Sequence, residues 1–322
     1  MLHDDSPGED ALDLRGGRSL WEASKPLPSH RGRLKQNTRS RILIIGSGIT
    51  GSFLAERLSR MTSDIVVVDR HQPQTASTAA STALLQWELD SPLRELASRI
   101  GTAHASQIYC ASAEAVRDVV ALADALSIAC QCASRPSLYL AGNRLGPREL
   151  KDEQRIRESA GLPSVLLTRD EVHRQFGFAA EAALYSEGAA EANPVMLAHG
   201  LMAHALARGV RLYYPEAVVD YDLGRRGASV LTESGHELGA DFLILANGYE
   251  MPDFVPSTIH RISSTWALAT KPNFKPWPGR ALIWEASTPN LYARHSADNR
   301  ANLGGEDEDN RDATLRDQKI GA

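Results

Sequence analysis

The chain has 322 residues, 43% hydrophobic and 23% charged, with a formal net charge of −5. That length carries one large or two modest domains, and the acidic balance excludes general affinity for nucleic acid. Only Cys110, Cys130 and Cys132 are present, which excludes a disulfide framework and suits a reducing cytoplasm; a C-x-C pair is too few ligands for zinc, so no metal site is expected.

Residues 1–40 are rich in Pro, Gly, Ser and charge, with a basic cluster at Arg31, Arg33, Lys35, Arg39 and Arg41. They read as an extended, partly disordered leader. It has no apolar stretch of the secretory type, and no run in the chain approaches the ~20 apolar residues of a membrane span. A cytoplasmic protein is the expectation.

Residues 41–70 read as strand, glycine turn, helix and strand, and 71–86 as a small, polar loop-to-helix passage. Ser91 and Pro92 suit a helix start. Val116, Val119, Val120 and Ala123 recur at the spacing of one buried helical stripe. "SLYLAGNRLG" (137–146) suggests a hairpin turning at Asn143, followed by an exposed charged helix stopped by Gly161 and Pro163. Thr168 and Glu171 have capping-box spacing. Asn193 and Pro194 open a helix that Gly209 stops. Strands follow at "VRLYY", on both sides of Gly224 and Gly227, and at "DFLILANG". Beyond 256, "HRISSTWALAT", "ALIWE" and "NLYARHSADNRANLGG" favour a second, largely antiparallel sheet.

Gly46, Gly48 and Gly51 satisfy G-x-G-x-x-G after "RILII" and before "SFLAERL". The first glycine permits the tight turn, the second lets backbone approach a pyrophosphate, and the third lets helix pack on strand. Amides of Gly48, Ile49 and Thr50 would then face phosphates. Asp69 closes "DIVVV" near the ~20-residue offset at which a carboxylate meets a ribose hydroxyl. These features together define a dinucleotide site. The nucleotide-domain pattern breaks off after the second strand and resumes at 195–250, a split order that suits flavoproteins better than nicotinamide enzymes.

In "IIGSGITGSFLAERL" with "VVVDR", in "STAASTALLQWELD", in "YYPEAVVDYD" and in "LILANGYE", the chain resembles FAD-dependent oxidoreductases of the D-amino-acid oxidase and glycine oxidase (DAO) family. The resemblance runs over roughly residues 40–320. It implies an α/β fold: a discontinuous Rossmann-like FAD-binding domain (41–90 and 190–255), a helical and hairpin insertion (91–189), and antiparallel substrate-domain strands (256–322). It implies FAD as cofactor and oxidation of an amine or amino acid, with hydride passing from the C–N carbon to flavin and oxygen as acceptor. It places Ser77, Ser81 and Thr82 along the pyrophosphate and ring, Val218 at the adenine, and Ala246, Asn247 and Gly248 beside the cofactor. Asn247 departs from the family's usual threonine.

Each carry-over has a plainer rival: solvated loop hydroxyls for Ser77, Ser81 and Thr82, and strand core for Val218. Arg70 reads as a surface charge, or as a partner for a 2′-phosphate were the ligand NADP. Trp266 is a candidate cavity wall or sheet core. Of Tyr292, Arg294 and His295 on one alternating strand, Arg294 is the candidate for pairing a substrate carboxylate, because a guanidinium matches it bidentately. The family's C-terminal "D-G-x-P-x-x-G" passage is not found before Ala322, so the substrate-domain strands read as C-terminally incomplete, with FAD affinity and turnover expected to suffer. An NAD(P)-dependent dehydrogenase and a non-catalytic nucleotide-binding remnant stay open as alternatives, and no feature sets the oligomeric state.

Overall fold

The computed structural model describes residues 16–17, 19–23, 32–225, 227–256, 258, 262–309, 314 and 318. Arg31 and most of the expected leader lie outside the described residues, whereas Trp21 and Leu34 are buried.

In chain order the elements begin with β1 (Thr38–Ile45), α1 (Ile49–Ser59), β2 (Ile65–Val68), α2 (Ser77–Ala80) and β3 (Leu84–Leu85). Then come α3 (Leu93–Ile100), α4 (Thr102–Ala125), β4 (Ala133–Leu140), α5 (Pro147–Ser159), β5 (Ser164–Thr168), α6 (Arg169–Phe176) and β6 (Ala182–Glu191). The chain continues with α7 (Pro194–Ala207), β7 (Arg211–Tyr213), β8 (Val218–Gly224), β9 (Gly227–Thr232) and β10 (Glu237–Leu245). It ends with β11 (Ser264–Ala269), β12 (Leu282–Glu285), β13 (Leu291–His295) and β14 (Ala301–Glu308). Two compact units result: Met1–Ala80 with Leu201–Ser264 and Asp309–Ala322, and Ser81–Gly200 with Thr265–Glu308.

The first unit is built on a six-stranded sheet in the order β7-β2-β1-β10-β9-β8. The first four strands run parallel, and β9 and β8 add antiparallel. Alternation along β1 sends Ile42 and Ile44 to one face, with Ala55 of α1, Ile65, Val67, Met202 and Leu212. It sends Leu43 and Ile45 to the other, with Leu34, Val66, Val68 and Val230. Strands covered on both faces read as unbroken apolar runs, which is why "RILII" and "DIVVV" look as they do. Asn193 Oδ1 accepts the N–H groups of Val195 and Met196 at 3.1 and 3.0 Å, the expected cap of α7.

The second unit carries the sheet β11-β14-β13-β12-β4-β6-β3, with β5 also on β6. β12 runs parallel to β4, and the other described pairings are antiparallel, as the sequence suggests. The β12–β4 pairing puts the expected insertion and the strands beyond 256 in one sheet. Thr168 caps α6 through the expected box with Glu171.

The hairpin expected at Asn143 does not form. The turn after β4 instead bonds to the end of β12, with Arg144 N–H donating to the Ala286 carbonyl at 2.9 Å, and the chain passes straight into α5.

Nor is α5 a wholly exposed charged helix. Glu153 and Arg157 are fully buried on it. Glu153 accepts the N–H groups of Leu93 and Arg94 at 2.9 Å each, capping α3 from a neighbouring helix, and takes Arg157 Nε at 2.8 Å. Arg157 Nη1 lies 3.6 Å from Glu88 Oε1, and the guanidinium sits 5.2 Å from the Trp87 ring and 5.8 Å from Tyr139. Burial raises Glu88 above its usual carboxylate range, opposed by the Arg157 charge and the Ser137 hydroxyl.

A group whose folded pKa is raised binds its proton more tightly folded than unfolded. Its contribution is therefore complete below the unfolded value and lost as pH rises through the folded one. Glu88→Gln should accordingly gain stability relative to the parent between about pH 5 and about pH 8. Urea midpoints of both proteins at the two pH values check this, and a difference that does not change with pH contradicts it.

Candidate functional site

β1 ends at Ile45, and the chain turns through Gly46 at φ +102°, where an L side chain is strained. Gly46 N–H donates to the Val68 carbonyl at 2.8 Å, and Ala246 N–H to the Ile45 carbonyl at 2.7 Å, so the ends of β2, β1 and β10 lie side by side. There is no room for side chains here. A Cβ on Gly46 would sit 2.3 Å from the Ala246 carbonyl oxygen, and one on Gly51 only 1.9 Å from that of Gly46.

Gly48 is the N-cap of α1 and, lacking a side chain, supplies no cap bond. The first turn carries no acid. The intrahelical ladder starts with Ser52 N–H donating to the Gly48 carbonyl at 2.9 Å, leaving the earlier amides outside it. These are the conditions under which a helix N-terminus accepts a phosphate.

Asp69 follows β2 directly. Its Oδ2 accepts both the Ser47 N–H at 2.7 Å and the Ser47 hydroxyl at 2.6 Å, and its Oδ1 accepts His71 N–H at 2.9 Å. A carboxylate offers about four lone-pair sites, so Oδ1 keeps capacity for a ribose hydroxyl. Gln74, buried below the turn, donates from Nε2 to the Ser47 carbonyl at 3.2 Å.

One amide of the expected trio is engaged within the chain. Ile49 N–H donates to Thr78 Oγ1 at 2.9 Å, so a phosphate oxygen reaches it only by displacing that hydroxyl. Thr78 and Ser47 are the site residues that sequence reasoning passed over. Ser47 lies within the glycine motif and Thr78 within the hydroxyl-rich segment after it, but nothing local separates Thr78 from its hydroxyl neighbours.

The remaining candidates divide between the units. In the first, Arg70 is ion-paired to Glu250, which neutralises the charge a 2′-phosphate would require. Val218 opens β8 opposite Thr232 and packs on the cluster around Leu43 and Val230. Ala246, Asn247 and Gly248 follow β10; the Asn247 side-chain amide donates to the Glu250 carbonyl, and Gly248 has φ +66°. Ser77 is exposed at the start of α2.

In the second unit, Ser81 Oγ accepts Ala83 N–H at 3.0 Å, and Trp266 is half-buried on the edge strand β11. The expectation for Arg294 is corrected. Its side chain is 2% exposed and is spent on the protein itself, donating from Nε to the Thr82 carbonyl at 2.5 Å, from Nη2 to the Ala192 carbonyl at 2.9 Å and from Nη1 to Glu191 at 3.1 Å. A guanidinium so committed ties β13 to β6 and is not presented to a substrate carboxylate.

The parallel strands, the glycine turn and the acid after β2 define the nucleotide-binding part of a dinucleotide-dependent α/β protein. The family model described as FAD dependent oxidoreductase (DAO) matches residues 41–320, and the chain belongs to that family. The putative Rieske 2Fe-2S iron-sulfur protein YhfW of Bacillus subtilis (strain 168) is 24% identical over 259 residues, which cover 80% of this chain and 50% of that protein. The chain thus spans about half the length of the curated relative it matches.

Among solved structures, glycine oxidase from Geobacillus kaustophilus superposes with a TM-score of 0.63 at 18% identity, covering 84% of this chain and 72% of that one. L-alpha-glycerophosphate oxidase from Mycoplasma pneumoniae with FAD bound gives 0.64 at 15%, covering 88% and 78%. FAD is the cofactor of the family. The residues here fit it: a turn in which a Cβ on Gly46 or Gly51 would collide with backbone, an acid-free helix start, and a carboxylate hydrogen-bonded to that turn. Among the described residues no helix is long and apolar enough to cross a membrane, and no cluster of His, Cys, Asp or Glu could hold a metal.

Proposed function

We propose that this chain holds FAD on the turn from Gly46 to Gly51 and oxidises a small amine or amino acid, with dioxygen as the acceptor. The observation that carries the reading is the pair of hydrogen bonds from Ser47 to Asp69, which fixes a carboxylate beside the amides of an uncapped helix start. When bound, the flavin accepts the electron pair and hydrogen leaving a carbon that bears nitrogen. The chain's own part is to hold the diphosphate on the amides of Gly48, Thr50 and Gly51, with Ile49 joining once Thr78 yields. Asp69 accepts from the ribose, and Gly46 and Gly248 leave backbone where side chains would obstruct. The Glu250 carboxylate on Arg70 favours FAD over NADP.

Asp69→Asn keeps the size of the side chain, but its amide nitrogen offers a donor where His71 N–H and a ribose hydroxyl both donate. FAD affinity should fall by about 1.5–3 kcal/mol, roughly 10–100-fold, measured by fluorescence titration. Unchanged affinity removes Asp69 from the site.

Substrate class is tested by anaerobic bleaching of the flavin absorbance with a panel of amines, amino acids and glycerol phosphate, then hydrogen peroxide release in air. Bleaching by an amine or amino acid is expected. Bleaching by glycerol phosphate alone, or by none of the panel, overturns the substrate assignment.

A further inference from the structure

The segment Cys130–Gln131–Cys132, between α4 and β4, belongs to none of the machinery described above. Gln131 has φ +56°, a left-handed conformation that folds the chain back on itself. The thiols on either side are both free and lie close enough to shift each other's acidity. Neighbouring backbone is pinned, with Cys130 N–H on the Ile128 carbonyl and Asn193 N–H on the Cys130 carbonyl, both at 2.7 Å. Cys130 is fully buried, while Cys132 is partly exposed at the start of β4.

The neighbouring Cys132 thiol draws the Cys130 thiol down to about 7, against the opposing effect of burial. Cys132 is pushed up by its Cys130 neighbour, by burial, and by the negative charges of Cys130 and Glu191. Of the two, the buried Cys130 is the readier to lose its proton and the accessible Cys132 the slower. A metal reading fails, because no third ligand stands beside the pair among the described residues.

We infer that Cys130 and Cys132 form a redox-active dithiol that hydrogen peroxide closes to an intrachain disulfide. Peroxide reaches Cys132. Cys132 gives its proton to solvent, and its thiolate attacks one peroxide oxygen. The O–O bond breaks, Cys132 keeps that oxygen as a sulfenic acid, and the departing hydroxide takes a solvent proton to become water. The Cys130 sulfur then attacks the sulfenic sulfur; the S–O bond breaks, and the hydroxide leaves with the Cys130 proton as a second water. Two thiols have lost two electrons, and one peroxide has become two waters. Closely spaced dithiols with one accessible sulfur are characteristically transient and redox-sensing.

The test uses the full chain, reduced with dithiothreitol, desalted, treated with added hydrogen peroxide, alkylated with N-ethylmaleimide and mapped by mass spectrometry. Because the peroxide is added, the result is independent of whether the chain is an amine oxidase. The expected peptide carrying Cys130 and Cys132 is lighter by two hydrogens and unlabelled, Cys110 keeps its label, and dithiothreitol restores both lost labels. In Cys130→Ser, oxidation should stop at a Cys132 sulfenic acid trapped by dimedone. In Cys132→Ser, Cys130 should stay fully alkylatable after unfolding. Both cysteines labelled after peroxide, a bridge to Cys110 instead, or Cys130 oxidised as fast without Cys132 would overturn the inference.

Discussion

Gly51→Ala abolishes FAD binding and destabilises the first unit together. The Cβ it adds would sit 1.9 Å from the Gly46 carbonyl oxygen, a backbone atom of the turn itself, so relief requires moving α1 off the end of β1. Overpacking of this kind costs about 1–3 kcal/mol and more where backbone must move, a large part of a stability of about 5–15 kcal/mol. Gly48→Ala is the informative contrast. Its Cβ meets only the Thr78 hydroxyl, at 3.2 Å, and intrudes where a phosphate would approach. The urea midpoint should drop clearly for Gly51→Ala and barely for Gly48→Ala, while both lose flavin absorbance. Equal midpoints for Gly51→Ala and the parent would refute the packing account of this turn.

Arg157→Leu has a comparable effect in the second unit, for an electrostatic reason. Arg157 is the cation for two buried carboxylates, Glu153 and Glu88, and its removal leaves both without a counter-charge. Breaking a buried pair from one side costs about 3–5 kcal/mol. Adding Glu88→Gln and Glu153→Gln to Arg157→Leu should recover much of that loss. Neutral amides carry no charge to bury, and the amide oxygen that Glu153→Gln introduces can still accept an N–H from the start of α3. A single variant as stable as the parent, or a triple variant no better than the single, contradicts this reading.

What the sequence discloses and what it hides divide by range. The turn from Gly46 to Gly51, the acid at 69, the cap at Asn193 and the box from Thr168 to Glu171 are local; each depends on residues a turn or one crossover apart. The hairpin expected at Asn143 fails because its backbone partner is Ala286, far along the chain. Charge on α5 reads as solvated until Glu88 and the amides of Leu93 and Arg94 arrive from elsewhere. Arg294 is misread for the same reason, its partners being Thr82, Glu191 and Ala192. In Ser77, Thr78, Ser81 and Thr82 the pattern identifies a hydroxyl-rich segment, but only packing selects Thr78 to meet the Ile49 amide.

The sharpest test of the cofactor site is a titration of FAD into cofactor-free protein, with gel filtration to see whether flavin travels with the chain. Binding of one FAD per chain, retained through the column, competed by ADP and weakened by Asp69→Asn, is the predicted result. A folded chain that retains no flavin, or that takes up a nicotinamide dinucleotide in preference, would contradict it.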